Sequence, residues 1–259
     1  MKRYIDTHTH IYDADFASDI EDVIYRAQNE GVFSCILPGI DMESHPRLIQ
    51  LASDRPDFTY PATGLHPTSV NSEWEKELSF VTERAKEKRY VAIGEIGMDG
   101  YWSRDYIEEQ SIVFEKQIEL AASLSLPVII HSRDATEEIF SVLEKTRHLG
   151  LEGVFHAFSG SPETYRRIRT YGNFLIGIGG VITYKNSKLP ATLAEIPIEH
   201  LLLETDAPWL TPVPYRGKRN EPSFIKHIAA KIAEAKHCSI DEVAEVTTDN
   251  AIKLFKLKI

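Results

Sequence analysis

The sequence predicts a (β/α)₈ barrel of the α/β class, and three observations carry that reading. Short apolar runs rich in β-branched residues recur about eight times. Longer amphipathic stretches separate them, the rhythm of repeated βα units around a parallel sheet. Where a run ends in His, Glu or Asp, that residue stands at its C-terminal end, the face on which barrels of this kind assemble their sites.

Taken in order, the strand-like runs are YIDTH near residue 5, VFSCILPGI from Val32, TYPATGLH from Thr59 and VAIGEIG from Val91. PVIIHSR from Pro127, GVFHAF from Gly153, NFLIGIGG from Asn173 and HLLLETD from His200 complete the set. Between the first two lies DFASDIEDVIYRAQNEG, with Ile20, Val23, Ile24 and Ala27 at helical spacing and Gly31 as a C-terminal cap. EWEKELSFVTERAKEK reads as a second helix. A third, EEQSIVFEKQIELAASLS, sets Ile112, Phe114, Ile118 and Ala121 or Ala122 near one face before Pro127 ends it. Two further helices are expected after Pro222 and Ser239. With no linker, low-complexity tract or repeat beyond the βα rhythm, the 259 residues are expected to form a single domain, 1–259.

A hydrophobic content of 42% allows a sizeable core, and a net charge of -10 argues against a broad basic surface gripping many phosphates at once. The opening MKRYIDTHTH is charged where a secretory leader needs an apolar run, and no stretch approaches transmembrane length. The expectation is a cytoplasmic chain with no membrane partner. Cys35 and Cys238 are too few for a disulfide framework and are read as separate reduced thiols.

His8 and His10 fall at the end of run one, Glu95 on run four, His131 on run five, His156 on run six and Asp206 on run eight. A His-x-His pair alone is weak evidence, since 10 histidines in 259 residues give about 0.4 such pairs by chance. Imidazoles and carboxylates from five separate strand ends are another matter, because unpaired ionisable groups there are costly to bury. They point to a metal site. Six ligands exceed the needs of one tetrahedral zinc, and a carboxylate such as Glu95 can bridge, so two divalent ions are expected. Imidazole and carboxylate without thiolate suit zinc, manganese, iron or nickel, and magnesium with more water.

Several motifs then stand in one order along nearly the whole chain: DTHTH at 6–10, GLHP at 64–67, GEIGMD at 94–99, HSRDA at 131–135, HAFSG at 156–160, LLETDAPWL at 202–210 and RGKRNEP at 216–222. On these the sequence resembles the TatD family of metal-dependent deoxyribonucleases, a branch of the amidohydrolase superfamily. The resemblance implies a barrel that hydrolyses phosphodiester bonds, often as a 3′ to 5′ exonuclease on DNA. It also implies that His8 and His10 bind one metal and His131 and His156 the other, with Glu95 bridging and Asp206 both binding and taking a proton. Met98, Gly100 and Ala157 depart from the family's usual residues without touching a ligand.

His66 and Arg133, also at strand ends, are candidate substrate-phosphate contacts, as are Arg216 and Arg219 in the basic stretch that includes Lys218. Tyr101, Trp102, Trp209 and Tyr215 are candidates to stack on bases. The expected substrate is DNA, single-stranded or at a frayed 3′ end. A metallohydrolase of a small amide, lactone or phosphoester is the competing reading, because this fold hosts many chemistries. A metal-binding protein without turnover is the third, and it would lack a ligand or a general base. A groove that admits a sugar-phosphate chain separates the first reading from the second, which needs a closed pocket.

Overall fold

The computed structural model describes residues 3–259. Among them eight parallel strands alternate with helices: β1 Tyr4–Asp6, β2 Val32–Leu37, β3 Thr59–Pro61, β4 Ile93–Asp99, β5 Val128–Arg133, β6 Glu152–Phe155, β7 Asn173–Ile178 and β8 Leu201–Leu203. They pair in the orders β1-β2-β3 and β4-β5-β6-β7-β8. A parallel bridge between Thr63 and Ile93 joins the two groups, and the Thr7 amide donates to the Leu203 carbonyl at 3.0 Å to close the ring. All eight predicted runs therefore become strands of a (β/α)₈ barrel. Around it lie α1 Ile20–Asn29, α2 His45–Asp54, α3 Trp74–Ala85, α4 Ile107–Leu124, α5 Thr136–Thr146, α6 Pro162–Ile168, α7 Leu189–Ala194, α8 Ile225–Lys236 and α9 Ile240–Phe255.

The period of two along each strand divides the core. Ile5, Ile36, Ala62, Ala92, Ile129, Val154, Leu175 and Leu202, one from each strand or its immediate extension, form a buried cluster with Leu254 and Phe255 of α9. Their neighbours along the chain, such as Cys35, Leu37, Val128, Ile130, Phe174 and Leu203, pack instead with the surrounding helices. Cys35 and Cys238 are both unpaired.

Of two helix expectations, the Gly31 cap holds and the inward placing of Ile112 does not. Gly31 follows α1 at φ 88°, a backbone region glycine enters without steric cost, so the predicted cap is real. On α4, Ile112 is 45% exposed rather than buried. The inward positions fall instead on Gln110, Val113, Phe114, Gln117, Ile118 and Ala121. Two of these are amides with backbone partners: Gln117 accepts from the Leu65 amide at 2.7 Å and donates to the Leu65 carbonyl at 3.1 Å. Gln110 does the same for Asp99, at 2.8 and 3.3 Å. Each glutamine thus fixes a segment that leads into the site.

Candidate metal centre

Several predicted ligands lie just past the strands proper. β1, β3 and β8 each span three residues, and the chain continues beyond them as segments stitched by single backbone bonds. The Asp206 amide donates to the His8 carbonyl at 2.8 Å, the His10 amide to Ala207 at 2.7 Å, and the His156 amide to Ile130 at 3.0 Å. Asp206 itself has φ 57°, a turn conformation that aspartate tolerates better than most residues. On the fifth and sixth strands the alternation does the work: His131 lies two residues beyond Ile129 and His156 two beyond Val154, on the inward face.

The six predicted residues converge. Glu95, on β4, is 2% exposed and sits at the centre. Its Oε2 lies 3.1 Å from His8 Nε2 and 3.5 Å from His10 Nε2, while its Oε1 lies 2.7 Å from His156 Nε2 and 2.9 Å from His131 Nδ1. One carboxylate therefore faces two separate imidazole pairs, one with each oxygen. Asp206 Oδ1 completes the first group, 3.7 Å from His8 Nε2 and 3.8 Å from His10 Nε2. Gly97 allows the close crossing of β4 and β5: at φ 136° it lies so near the His131 carbonyl that a Cβ would fall 2.0 Å from the oxygen.

The hydrogen-bond chains fix where protons sit. Tyr12 donates its hydroxyl proton to the Pro38 carbonyl at 2.5 Å, so at 2.9 Å its oxygen is left to accept from His10 Nδ1. His10 Nε2 is then a bare lone pair, aimed at His8 Nε2 from 3.0 Å. On the other side His131 Nε2 faces Asp99 Oδ2 at 2.8 Å, which leaves Nδ1 for the interior. Lone pairs and carboxylate oxygens converging with too few protons to share are what a cation satisfies, and the donor set fits a divalent metal.

Electrostatics divide the cluster: Glu95 and His8 are held ready for a cation, whereas Asp206 and His131 hold protons that a cation would displace. Burial raises the Glu95 carboxyl, but the imidazoles of His156, His66 and His8 outweigh it and hold the group well below its ordinary value. Burial, helped by neighbouring His156, keeps His8 well below the usual imidazole range, so its lone pair is free. Asp206 is pushed well above its ordinary value by burial and then by the charge of Glu95. For His131, burial is overcome by hydrogen bonds to Asp99 and Glu95, which push it up to about 9.

His66 belongs to this cluster rather than to its rim. Its Nε2 lies 3.2 Å from Glu95 Oε1, yet its Nδ1 accepts from the Thr68 amide at 3.1 Å. The neutral ring must then carry its proton on Nε2, a donor aimed into the site and not a ligand lone pair. Arg133 lines the cavity above the cluster with its guanidinium 3.7 Å over the Tyr101 ring. Arg216 lies outside the cavity lining, 3.9 Å over Tyr184. Arg219 also stands apart and is already committed: it forks onto Asp19 at 2.9 and 2.7 Å, donates to the Asp15 carbonyl and covers Phe16. Asp19 lies 200 residues away in sequence, so no local pattern pairs the two. Trp102 and Trp209 line the cavity and are 70% and 48% exposed, whereas Tyr215 stacks on Phe224.

Three residues escaped the sequence reading. Tyr12 and Asp99 hydrogen-bond the outer nitrogens of His10 and His131. Glu204 is fully buried, two positions beyond Leu202 on the inward face, and accepts from the Ala157 amide at 2.5 Å. Its Oε1 lies 3.7 Å from His156 Nδ1, and burial holds its carboxyl well above the ordinary range. The alternation of β8 was the signal that could have found it.

A family model described as TatD related DNase matches residues 5–256. The chain belongs to the TatD family of metal-dependent hydrolases. Within that family it is 40% identical over 253 residues to the uncharacterized metal-dependent hydrolase YabD of Bacillus subtilis, covering 97% of this chain and 98% of the relative. It is 36% identical over 249 residues to the 3′-5′ ssDNA/RNA exonuclease TatD of Erwinia tasmaniensis, covering 93% and 95%. Among solved structures it resembles YJJV, a TatD homolog from Escherichia coli K12, with a TM-score of 0.89, 33% identity and 99% of each chain covered. As a TatD-family hydrolase it carries His and Glu clusters able to hold metal, and no helix among its described residues is long and apolar enough to cross a membrane.

Proposed function

We propose that the chain is a metal-dependent exonuclease that removes nucleotides from the 3′ end of single-stranded or frayed DNA. The observation that carries this reading is the shape of the space above Glu95. A cavity of about 810 Å³ holds the cluster, and it shares Ser132, Arg133, His156 and Ser159 with a second groove of about 490 Å³. Two adjoining spaces that share wall residues suit a chain with its terminal phosphodiester at the floor. The name of the Erwinia relative supports the same direction and polarity.

His8, His10, Glu95 and Asp206 would hold one divalent ion, and Glu95, His131 and His156 a second. Bound there, the ions supply Lewis acidity at the phosphoryl oxygens and a water of near-neutral pKa. The chain's own groups do the rest. Asp206 accepts the proton of the attacking water, from a carboxylate that its backbone bond to His8 holds at the cluster. His66 donates through Nε2 to a phosphoryl oxygen. Arg133, held flat against Tyr101, offers its forked donors at the rim, and Arg216 lies farther out along the substrate. Trp102 and Trp209 present faces for the terminal bases. No protein nucleophile is needed.

The test is digestion of single strands labelled at either end, with DNA, RNA, blunt duplex and closed circles compared in metal-replete protein. A 3′ label should leave at once as a mononucleotide, a 5′ label should mark a shortening ladder, and circles should resist. Cleavage of none of these would turn the reading to a small amide, lactone or phosphoester.

A further inference from the structure

We infer that Asp99 is a positioning residue that fixes His131 as a metal ligand through Nδ1 and hangs the aromatic rim of the cavity from the same carboxylate. The inference rests on the metal-binding reading of the site and not on the choice of substrate.

Asp99 ends β4 and is 1% exposed. Its backbone is clamped on both sides by the Gln110 amide, so the carboxylate has a rigid base. Oδ1 is occupied by two backbone donors, Tyr101 at 2.9 Å and Trp102 at 3.2 Å. That leaves Oδ2 for His131 Nε2 at 2.8 Å. A carboxylate offers only acceptors there, so the imidazole must place its proton on Nε2. The opposite nitrogen, Nδ1, faces Glu95 Oε1 and His156 Nε2 at 2.9 and 3.2 Å, and it is the nitrogen that would give up its proton to a cation held there. Partners of this kind commonly set the orientation and basicity of a ligating histidine.

The other oxygen gives the arrangement its second consequence. Tyr101 and Trp102, whose amides it holds, form a T-shaped pair 5.1 Å apart, and Arg133 stacks on Tyr101. The inner ligand and the outer wall therefore share one anchor.

Asp99→Asn separates an orienting role from a loop cap. It keeps an oxygen for the two backbone amides but turns an NH₂ toward His131 Nε2, which favours the tautomer with its proton on the ligand atom. Metal-free protein titrated with Zn²⁺ against a competing chelator should show one dissociation constant raised about 10- to 100-fold. The other should match the parent chain, as should the melting temperature of the metal-free protein. Unchanged zinc affinity, or equal weakening of every site, would overturn the inference. Should the asparagine variant not fold, Asp99→Ser keeps a small acceptor for the loop amides and cannot reach His131, and the same selective loss is expected. No nucleic acid enters the measurement, so a failed exonuclease assay and a failed zinc titration are separate outcomes.

Discussion

His8 and His10 present their Nε2 atoms to each other at 3.0 Å, and the outer nitrogen of His10 is already committed as a donor to Tyr12. At most one proton can lie between the two rings, and both face the same oxygen of Glu95. A cation that enters this gap binds the folded chain and has no preformed site in the unfolded one. Chelation should therefore lower the melting temperature and added zinc restore it, by about 4 kcal/mol of stability at a thousand times the dissociation constant. Scanning calorimetry with chelator and with zinc reads this directly, and coincident transitions would contradict it.

Asp206→Asn keeps the shape of the side chain and removes the proposed proton acceptor. Turnover on a single-stranded oligonucleotide should fall about 10²- to 10⁴-fold with the circular dichroism spectrum unchanged. Near-parental turnover would remove Asp206 from that role and leave it a ligand.

Arg133 and Arg219 should behave differently despite their shared chemistry. Arg133→Ala should raise the Michaelis constant more than it lowers turnover, as for a contact made in both ground and transition states. Arg219→Ala should leave the Michaelis constant alone and lower stability by about 1 kcal/mol or less, since it removes a partly exposed pair with Asp19. Steady-state kinetics and thermal melts of both variants decide the matter.

Few phosphate contacts also mean a shallow response to salt. With Arg133 and Arg216 as the cationic contacts, binding of single strands should fall with a log–log slope of about -1.4. A salt series of fluorescence anisotropy on metal-free protein measures it, and a slope several times steeper would require a basic surface that the net charge of -10 does not provide.

Gln117→Leu fits the apolar neighbourhood of α4 but strands the Leu65 amide and carbonyl in the core. Each unpaired buried group costs about 1–3 kcal/mol, so urea denaturation should show a loss of that order or greater. His66 follows Leu65 directly, so activity should drop as well.

The sequence spoke most clearly where chemistry and periodicity coincide. Eight apolar runs and their terminal ionisable residues sufficed to place His8, His10, Glu95, His131, His156 and Asp206 in one cluster. Partners set by tertiary contact were silent. Asp99 lies 32 residues from His131, and Arg219 lies 200 from the Asp19 that occupies it, with no local pattern to announce either. On α4 the inward face includes two glutamines, which an apolar template scores as solvent-facing, and the same template groups the exposed Ile112 with the inward residues. The sequence puts His66 at a strand end, but its role as a donor follows only from the Thr68 amide on its other nitrogen.

On the proposed reading Glu95 joins two metal sites into one hydrolytic centre, and counting bound metal and turnover together in the parent chain and in Glu95→Gln reads that role. Elemental analysis of metal-replete parent protein should give two divalent ions per chain with steady release of mononucleotide, while the variant retains at most one ion and loses turnover by several orders of magnitude. A parent chain that holds a single ion touching neither His131 nor His156, or a variant that keeps both ions and full turnover, would contradict it.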